Sequence, residues 1–219
     1  QLHREVERHL GVPLLHSYGL SEATCTVAMN PPSARRIGTV GTALAGQRVA
    51  VFAPAGEVPL PAGAEGEICI AGPSLMKGYV PAVTAQDGPT IRNGWLRTGD
   101  LGRLDDEGYL TVTGRLKEII IRGGENLSPG RIEEVILRDP AVHSCCVVGA
   151  PDPDLGEAPV AFVVARDGSS IREEAIQERV RAELTRACVP ARVVVLGALP
   201  EIGVGKIDRK LLKQLAAKS

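Results

Sequence analysis

Residues 94–129, GWLRTGDLGRLDDEGYLTVTGRLKEIIIRGGENLSP, constrain the fold most, because short β-prone runs alternate there with residues that break them. Asp105-Asp106-Glu107-Gly108 reads as a hairpin turn, since Asp and Gly tolerate the positive φ that tight turns demand. Tyr109-Leu110-Thr111-Val112-Thr113 reads as a strand by its aromatic and β-branched content. Gly114 and the charges of Arg115, Lys117 and Glu118 interrupt it, Ile119-Ile120-Ile121 is a second strand, and Gly123-Gly124 ends that one. Ser128-Pro129 opens a helix, with Ser as N-cap and Pro at the first helical position.

Residues 38–113 carry the same punctuation throughout. Candidate strands at 48–52 and 66–70 are separated by Pro54, Gly56, Pro59, Pro61, Gly63, Gly72 and Pro73, which predicts a small β-barrel or sandwich. Ahead of it, residues 5–10 form an amphipathic helix closed by Gly11, and 12–15 read as a strand. That strand runs into Ser17-Tyr18-Gly19-Leu20-Ser21-Glu22, a polar and glycine cluster at a strand's carboxyl end, where open α/β sheets place ligands. A plain strand-to-helix connection capped by Ser21 fits the same residues equally well. Residues 30–36 are a polar connector.

After Gly114 helices return. Residues 131–138 and 171–187 are amphipathic helices, 142–148 and 160–165 are apolar strands joined by a loop at 151–156, 193–196 is a further strand, and 211–217 starts a last helix. This is a compact α+β module of about 100 residues, enough for an independent domain. The junction near Leu116-Lys117 is short and charged, which suits a hinge.

Composition excludes several classes. With 219 residues and a net charge of −1, no basic face for nucleic acid or anionic lipid is expected. No apolar run approaches the roughly 20 residues of a transmembrane helix. The five cysteines are scattered and form no CxxC pair, which points to reduced thiols and a cytoplasmic protein. Cys145-Cys146 lies in an apolar run and reads as buried small hydrophobes. The four histidines show no metal-ligand spacing. The chain begins in mid-helix without methionine and reads as a piece of a longer protein.

Four segments resemble, in order and spacing, the adenylate-forming enzymes: acyl- and aryl-CoA synthetases, firefly-luciferase-like proteins and peptide-synthetase adenylation domains. They are Tyr18-Gly19-Leu20-Ser21-Glu22; Gly66-Glu67-Ile68 with Gly72-Pro73-Ser74-Leu75-Met76-Lys77-Gly78-Tyr79; Trp95 with Thr98-Gly99-Asp100; and Pro200-Glu201-Ile202-Gly203-Val204-Gly205-Lys206-Ile207-Asp208-Arg209. The resemblance implies a fold of α/β plus α+β class. Residues 1–116 would be the tail of a large AMP-binding domain, with an α/β segment at 1–37 and a β-barrel subdomain at 38–114. Residues 117–219 would be its mobile C-terminal domain.

The resemblance also implies substrates and roles. ATP, Mg²⁺, CoA and a carboxylic acid are the expected ligands, with no tightly bound prosthetic group. Ser17, Tyr18, Gly19, Leu20 and Ser21 would line the nucleotide, Tyr18 against adenine and Ser21 at the α-phosphate, and Glu22 would hold Mg²⁺. Asp100 would bind the ribose hydroxyls, Arg115 the ribose or phosphate, and Lys117 would be the hinge. Lys206 would meet the acyl carboxylate and α-phosphate, so Lys206, Glu22 and Ser21 are the expected catalytic residues. Gly123 and Gly124 would let the pantetheine arm of CoA approach bare backbone.

Departures matter as well. The family's phosphate-gripping Gly/Ser/Thr-rich loop is absent from these residues, so the 219-residue piece is expected to be inactive alone. Lys117-Glu118-Ile119-Ile120-Ile121 lacks the Gln-Val-Lys pattern of peptide synthetases, and no carrier domain follows Ser219. Both favour a CoA ligase, with fatty acids as the first expected substrate and aryl acids as the second. An acyl-AMP ligase loading a carrier protein and a non-catalytic nucleotide-binding module are the alternatives. A homodimer is compatible with these features.

Overall fold

In the computed structural model, residues 2–79, 90–203 and 205–218 are described, and their contacts divide the chain into Gln1–Leu116 and Lys117–Ser219. Val204 of the fourth motif lies outside the described residues. The first unit opens with helix α1 (Leu2–Leu10), whose last turn is closed by the Gly11 N–H returning to the Glu7 carbonyl at 2.8 Å. Residues 12–15, expected as a strand, join no ladder; Leu14 N–H instead donates to the Glu7 carboxylate at 2.8 Å. The strand comes later. β1 (Ser17–Leu20) pairs antiparallel with β2 (Cys25–Met29), and β3 (Thr42–Ala43) pairs with β2. The cluster expected to end a strand is therefore a strand itself, turned back by a single 3-10 turn at Ser21–Ala23. The hairpin buries both faces of β2, Val27 in one apolar cluster and Ala28 in the other.

The second sheet of this unit contains β4 (Arg48–Phe52), β5 (Gly66–Ala71), β6 (Thr90–Arg92), β7 (Trp95–Leu104) and β8 (Leu110–Arg115), in the order β4-β5-β7-β6 with β8 also on β7. The expected barrel does not form among the described residues; the sheet is open. The reason is the length of β7. Its first residues pair with β6 and its last with β8, so two strands share one edge in succession. Beyond β8, Val40 N–H donates to the Leu110 carbonyl and Leu110 N–H to the Gly41 carbonyl, both at 2.8 Å. That exchange passes the chain on to β3 and links the two sheets.

In the second unit the apolar runs are buried on both faces. β9 (Ile120–Arg122) and β10 (Glu125–Leu127) form a hairpin, followed by helix α2 (Pro129–Ile136), the long hairpin β11 (Val142–Asp152) and β12 (Gly156–Ala165), helix α3 (Glu173–Glu183) and β13 (Arg192–Leu196) parallel to β12. A small hairpin, β14 (Glu201–Ile202) and β15 (Lys206–Ile207), precedes helix α4 (Arg209–Lys218). Alternate residues of the central strands enter different cores. Cys145, Val147, Ala161 and Val163 pack with Ile132 and Ile136 of α2 and Ile176 and Val180 of α3. Cys146, Val148, Val160 and Phe162 pack with Leu212 and Ala216 of α4. Strands sandwiched between helices read as unbroken hydrophobic runs for this reason. Burial also pushes the Cys146 thiol up to about 12, so the vicinal pair are small core residues, and all five cysteines are free.

Helix α3 is shorter than the sequence predicts. Leu184 already has extended backbone, and a separate 3-10 turn at Arg186–Cys188 completes the connection to β13.

Candidate nucleotide site

Thr98-Gly99-Asp100 is a β-bulge. Cys69 pairs with Arg97 and Glu67 with Leu101, so three residues of β7 oppose Ile68 alone. Such an excess bends a strand and re-aims its side chains. Gly99 has φ +73, which a residue with a Cβ adopts only under strain. Thr98 holds one side of the bulge, its hydroxyl donating to the Ile68 carbonyl at 2.7 Å and accepting the Asp100 N–H at 3.1 Å.

The bulge places Asp100, 8% exposed, between two partners. Tyr18 Oη donates to Oδ2 at 2.7 Å, and Arg115 Nε forms an ion pair with Oδ1 at 2.9 Å. Arg115 lies opposite Asp100 in the β7–β8 register, while Tyr18 comes from β1. The Tyr18 ring packs against both apolar clusters of this unit, which contain Ile70 and Leu96, and Ile68 and Leu110. Burial raises the Tyr18 phenol above its ordinary range; Thr98 opposes this and Asp100 adds to it. The phenol therefore remains a donor at neutral pH. A carboxylate has about four acceptor positions, and the Tyr18 hydroxyl takes one of them while Arg115 pairs with the charge. Asp100 keeps acceptor capacity for hydroxyl donors.

Glu22 sits in the 3-10 turn after β1. Tyr79 Oη donates to Glu22 Oε1 at 2.8 Å, Met76 N–H donates to the Glu22 carbonyl at 2.8 Å, and Thr24 Oγ1 donates to the Ser74 carbonyl at 2.8 Å. The second motif is thus stitched to the first. Thr24 and Cys25 both have positive φ, 56° and 76°, an arrangement uncommon for residues with side chains. Ser17, Gly19 and Ser21 are exposed, whereas Tyr18 and Leu20 are half-buried. Gly19 has a steric reason of its own, because a Cβ there would lie 1.4 Å from the Cys25 carbonyl oxygen. Among the described residues no cluster of three or more His, Cys, Asp or Glu could hold a metal by itself. A lone Glu22 carboxylate still suits Mg²⁺, which commonly takes one or two protein carboxylates together with substrate phosphates.

The remaining candidates belong to the second unit, apart from the boundary. Lys117 is exposed in the 3-10 turn Leu116–Glu118. Gly123 and Gly124 form the β9–β10 turn with φ +57 and +85, so hairpin geometry alone requires glycine there. Lys206 is exposed at the start of β15. Asp208 caps α4, its carboxylate accepting Leu211 N–H at 2.9 Å.

Sequence reasoning did not anticipate the partner set around Asp100, nor a second polar cluster beside it. Arg97 and Glu67 form a buried ion pair at 3.1 Å, with the guanidinium over the Phe52 ring and donating to the Ala53 and Gly56 carbonyls. The available signal was Glu67 itself, an acid inside the strand Gly66-Glu67-Ile68-Cys69-Ile70-Ala71, every residue of which is buried.

The AMP-binding enzyme family model matches residues 1–80, and the AMP-binding enzyme C-terminal domain model matches residues 131–206. The sulfoacetate–CoA ligase of Cupriavidus necator is 39% identical over 96% of this chain and 42% of its own length. A medium/long-chain-fatty-acid–CoA ligase of Mycobacterium tuberculosis is 38% identical over 95% of this chain and 38% of its own. The crystal structure of ATP-bound MatB from Rhodopseudomonas palustris superposes with a TM-score of 0.90 at 33% identity, covering 97% of this chain and 42% of that one. The chain thus spans well under half the length of these relatives. Two family models in series, together with these relatives, place this chain in the AMP-binding, adenylate-forming enzyme family.

Proposed function

We propose that this chain is the C-terminal part of an ATP-dependent ligase that adenylates a carboxylic acid and passes the acyl group to CoA. The observation that carries it is Asp100, held by Tyr18 and Arg115 with acceptor capacity to spare. A vicinal diol such as the ribose of ATP matches that carboxylate, and hydrogen bonds to an ionised acceptor are the strong kind. Arg115 Nε holds Asp100, leaving the rest of its fork for a second acceptor such as a ribose oxygen or phosphate. Ser21 and Ser17 face outward on the same stretch and supply hydroxyls toward the nucleotide. Glu22 would hold Mg²⁺, which when bound neutralises phosphate charge.

In the first half-reaction the substrate carboxylate attacks the α-phosphorus, the bond to the bridging oxygen breaks, and pyrophosphate leaves. Lys206 is assigned to this step. Its ammonium offsets the negative charge that builds on the α-phosphate and carboxylate oxygens, an electrostatic contribution of several kcal/mol where the donor is preorganised. In the second half-reaction the CoA thiolate attacks the acyl carbon and AMP leaves. Gly123-Gly124 is assigned to the passage of the pantetheine arm, and Lys117 to the hinge between the two half-reactions. Two relatives are named for sulfoacetate and for fatty acids. The substrate class is accordingly a carboxylic acid, with fatty acid as one member.

The test uses the full-length protein that contains this chain. Pyrophosphate release is followed with short-chain, fatty and aryl acids, with and without CoA. Release with one class of acid, and thioester only when CoA is present, is the expected result. Release without any CoA thioester would move the acceptor to a carrier protein, and no release with any acid would overturn the ligase. Lys206→Ala should slow adenylation at least a hundredfold, about 2.7 kcal/mol, while sparing thioester formation from supplied acyl-adenylate. Equal loss in both steps would remove Lys206 from its assigned role.

A further inference from the structure

The Asp100 bulge is pinned from behind by a carboxylate that no motif role accounts for. Glu67 is 7% exposed. Its Oε1 accepts the Gly99 N–H at 3.0 Å and its Oε2 accepts from Arg97 Nη1 at 3.1 Å. Gly99 is the positive-φ residue of the bulge and the immediate neighbour of Asp100. Where three residues face one, the inner N–H groups lose their ladder partners, and a buried donor without an acceptor is costly. Glu67 supplies that acceptor from the opposite strand. Arg97 pairs with it and aims it, and is itself fixed by the Ala53 and Gly56 carbonyls and the Phe52 ring.

We propose that Glu67 is a positioning residue for nucleotide binding: its carboxylate holds the Gly99 backbone so that Asp100 meets the ribose hydroxyls. The proposal rests on the assignment of Asp100 to the ribose. Glu67→Gln alone is ambiguous about geometry. The Arg97 guanidinium draws the amide oxygen to itself, because a charged donor makes the stronger bond, and the NH₂ then faces Gly99 N–H. In an Arg97→Met background that competition is gone, and the amide oxygen introduced by Glu67→Gln returns to Gly99. Replacing a buried ion pair by neutral groups of similar size is commonly tolerated, so the double variants are the ones that keep the fold.

The experiment measures binding of ATP and of 2′,3′-dideoxy-ATP by the full-length protein. Wild type is expected to prefer ATP by about tenfold or more, the range for hydrogen bonds to a charged acceptor, and Asp100→Ala to lose that preference. Glu67→Gln/Arg97→Met should keep the preference to within about threefold, whereas Glu67→Met/Arg97→Met, which differs only in lacking an acceptor for Gly99, should lose it. A purely structural role would lower stability in both double variants equally without separating the two nucleotides. Two folded double variants with the same preference would overturn the role of Glu67 while leaving Asp100 in place. A wild type that binds both nucleotides equally would remove Asp100 from the ribose, and the role of Glu67 with it.

Discussion

Arg209 offers the sharpest test of how the second unit is held together. β11 pairs with β12 on one side only, so the outward N–H and C=O of Val147 lack a strand partner. Glu133 Oε1 accepts that N–H at 2.8 Å, and Arg209 Nη1 donates to that carbonyl at 3.0 Å. The two side chains also bond each other, Nη2 to Oε1 at 2.8 Å, and Arg209 Nε reaches Glu118 at 3.4 Å. The ion pair stands in for a missing strand. Arg209→Met strips one buried carbonyl and strands the Glu133 charge. Breaking a fully buried pair costs about 3–5 kcal/mol, and the partial exposure of Arg209 reduces this to about 2–3 kcal/mol. For a unit of about 100 residues that lowers Tm by about 8–20 °C. Glu133→Gln/Arg209→Met leaves an amide oxygen for Val147 N–H and no stranded charge, so it should cost less than the sum of the two single variants by about 1–2 kcal/mol. The assay is thermal and urea unfolding of the four proteins, scored on the transition that Leu212→Ala also shifts, since Leu212 is fully buried in the same unit. Strict additivity, or a cost for Arg209→Met below about 0.5 kcal/mol, would refute the reasoning.

Asp100→Ala in the full-length protein should weaken ATP binding by about 10–100-fold, or about 1.5–3 kcal/mol; unchanged affinity by calorimetry removes Asp100 from the nucleotide. Gly19→Ala forces a Cβ against the Cys25 carbonyl 1.4 Å away, so the β1–β2 hairpin must open and the Tyr18–Asp100 bond with it. Loss of ATP binding is expected, and a variant binding as wild type contradicts the clash. The Asp105 carboxyl is held below its usual range chiefly by the Tyr109 N–H, with Glu107 N–H and Arg36 contributing. A depressed carboxyl adds stability above its unfolded pKa and loses it as pH falls through the lower folded value. Asp105→Ala should therefore flatten the acid limb of the stability curve below about pH 4, and parallel curves for variant and wild type count against it.

The sequence determined what depends on neighbouring residues. Turn chemistry at 105–108 predicts the hairpin that Asp105 builds, its carboxylate accepting Glu107 and Tyr109 N–H. The strands read at 48–52, 66–70 and 193–196 lie within one residue of those that form. The apolar runs around Cys145 and Val160 read as buried strands because both their faces are covered, and the motifs pointed to the family before any fold was in view. Only the tertiary structure decided which partners those residues meet. No local signal says that β7 pairs with β6 and β8 in succession, so the sequence predicts a barrel where an open sheet forms. Nor does Thr98-Gly99-Asp100 reveal that it is a bulge, because a bulge is defined by the register of the opposite strand. Asp100 meets Tyr18 across 82 positions of sequence and Gly99 meets Glu67 across 32. Those pairings follow from strand order and register, set by burial summed over each whole unit, and no stretch of sequence carries that sum.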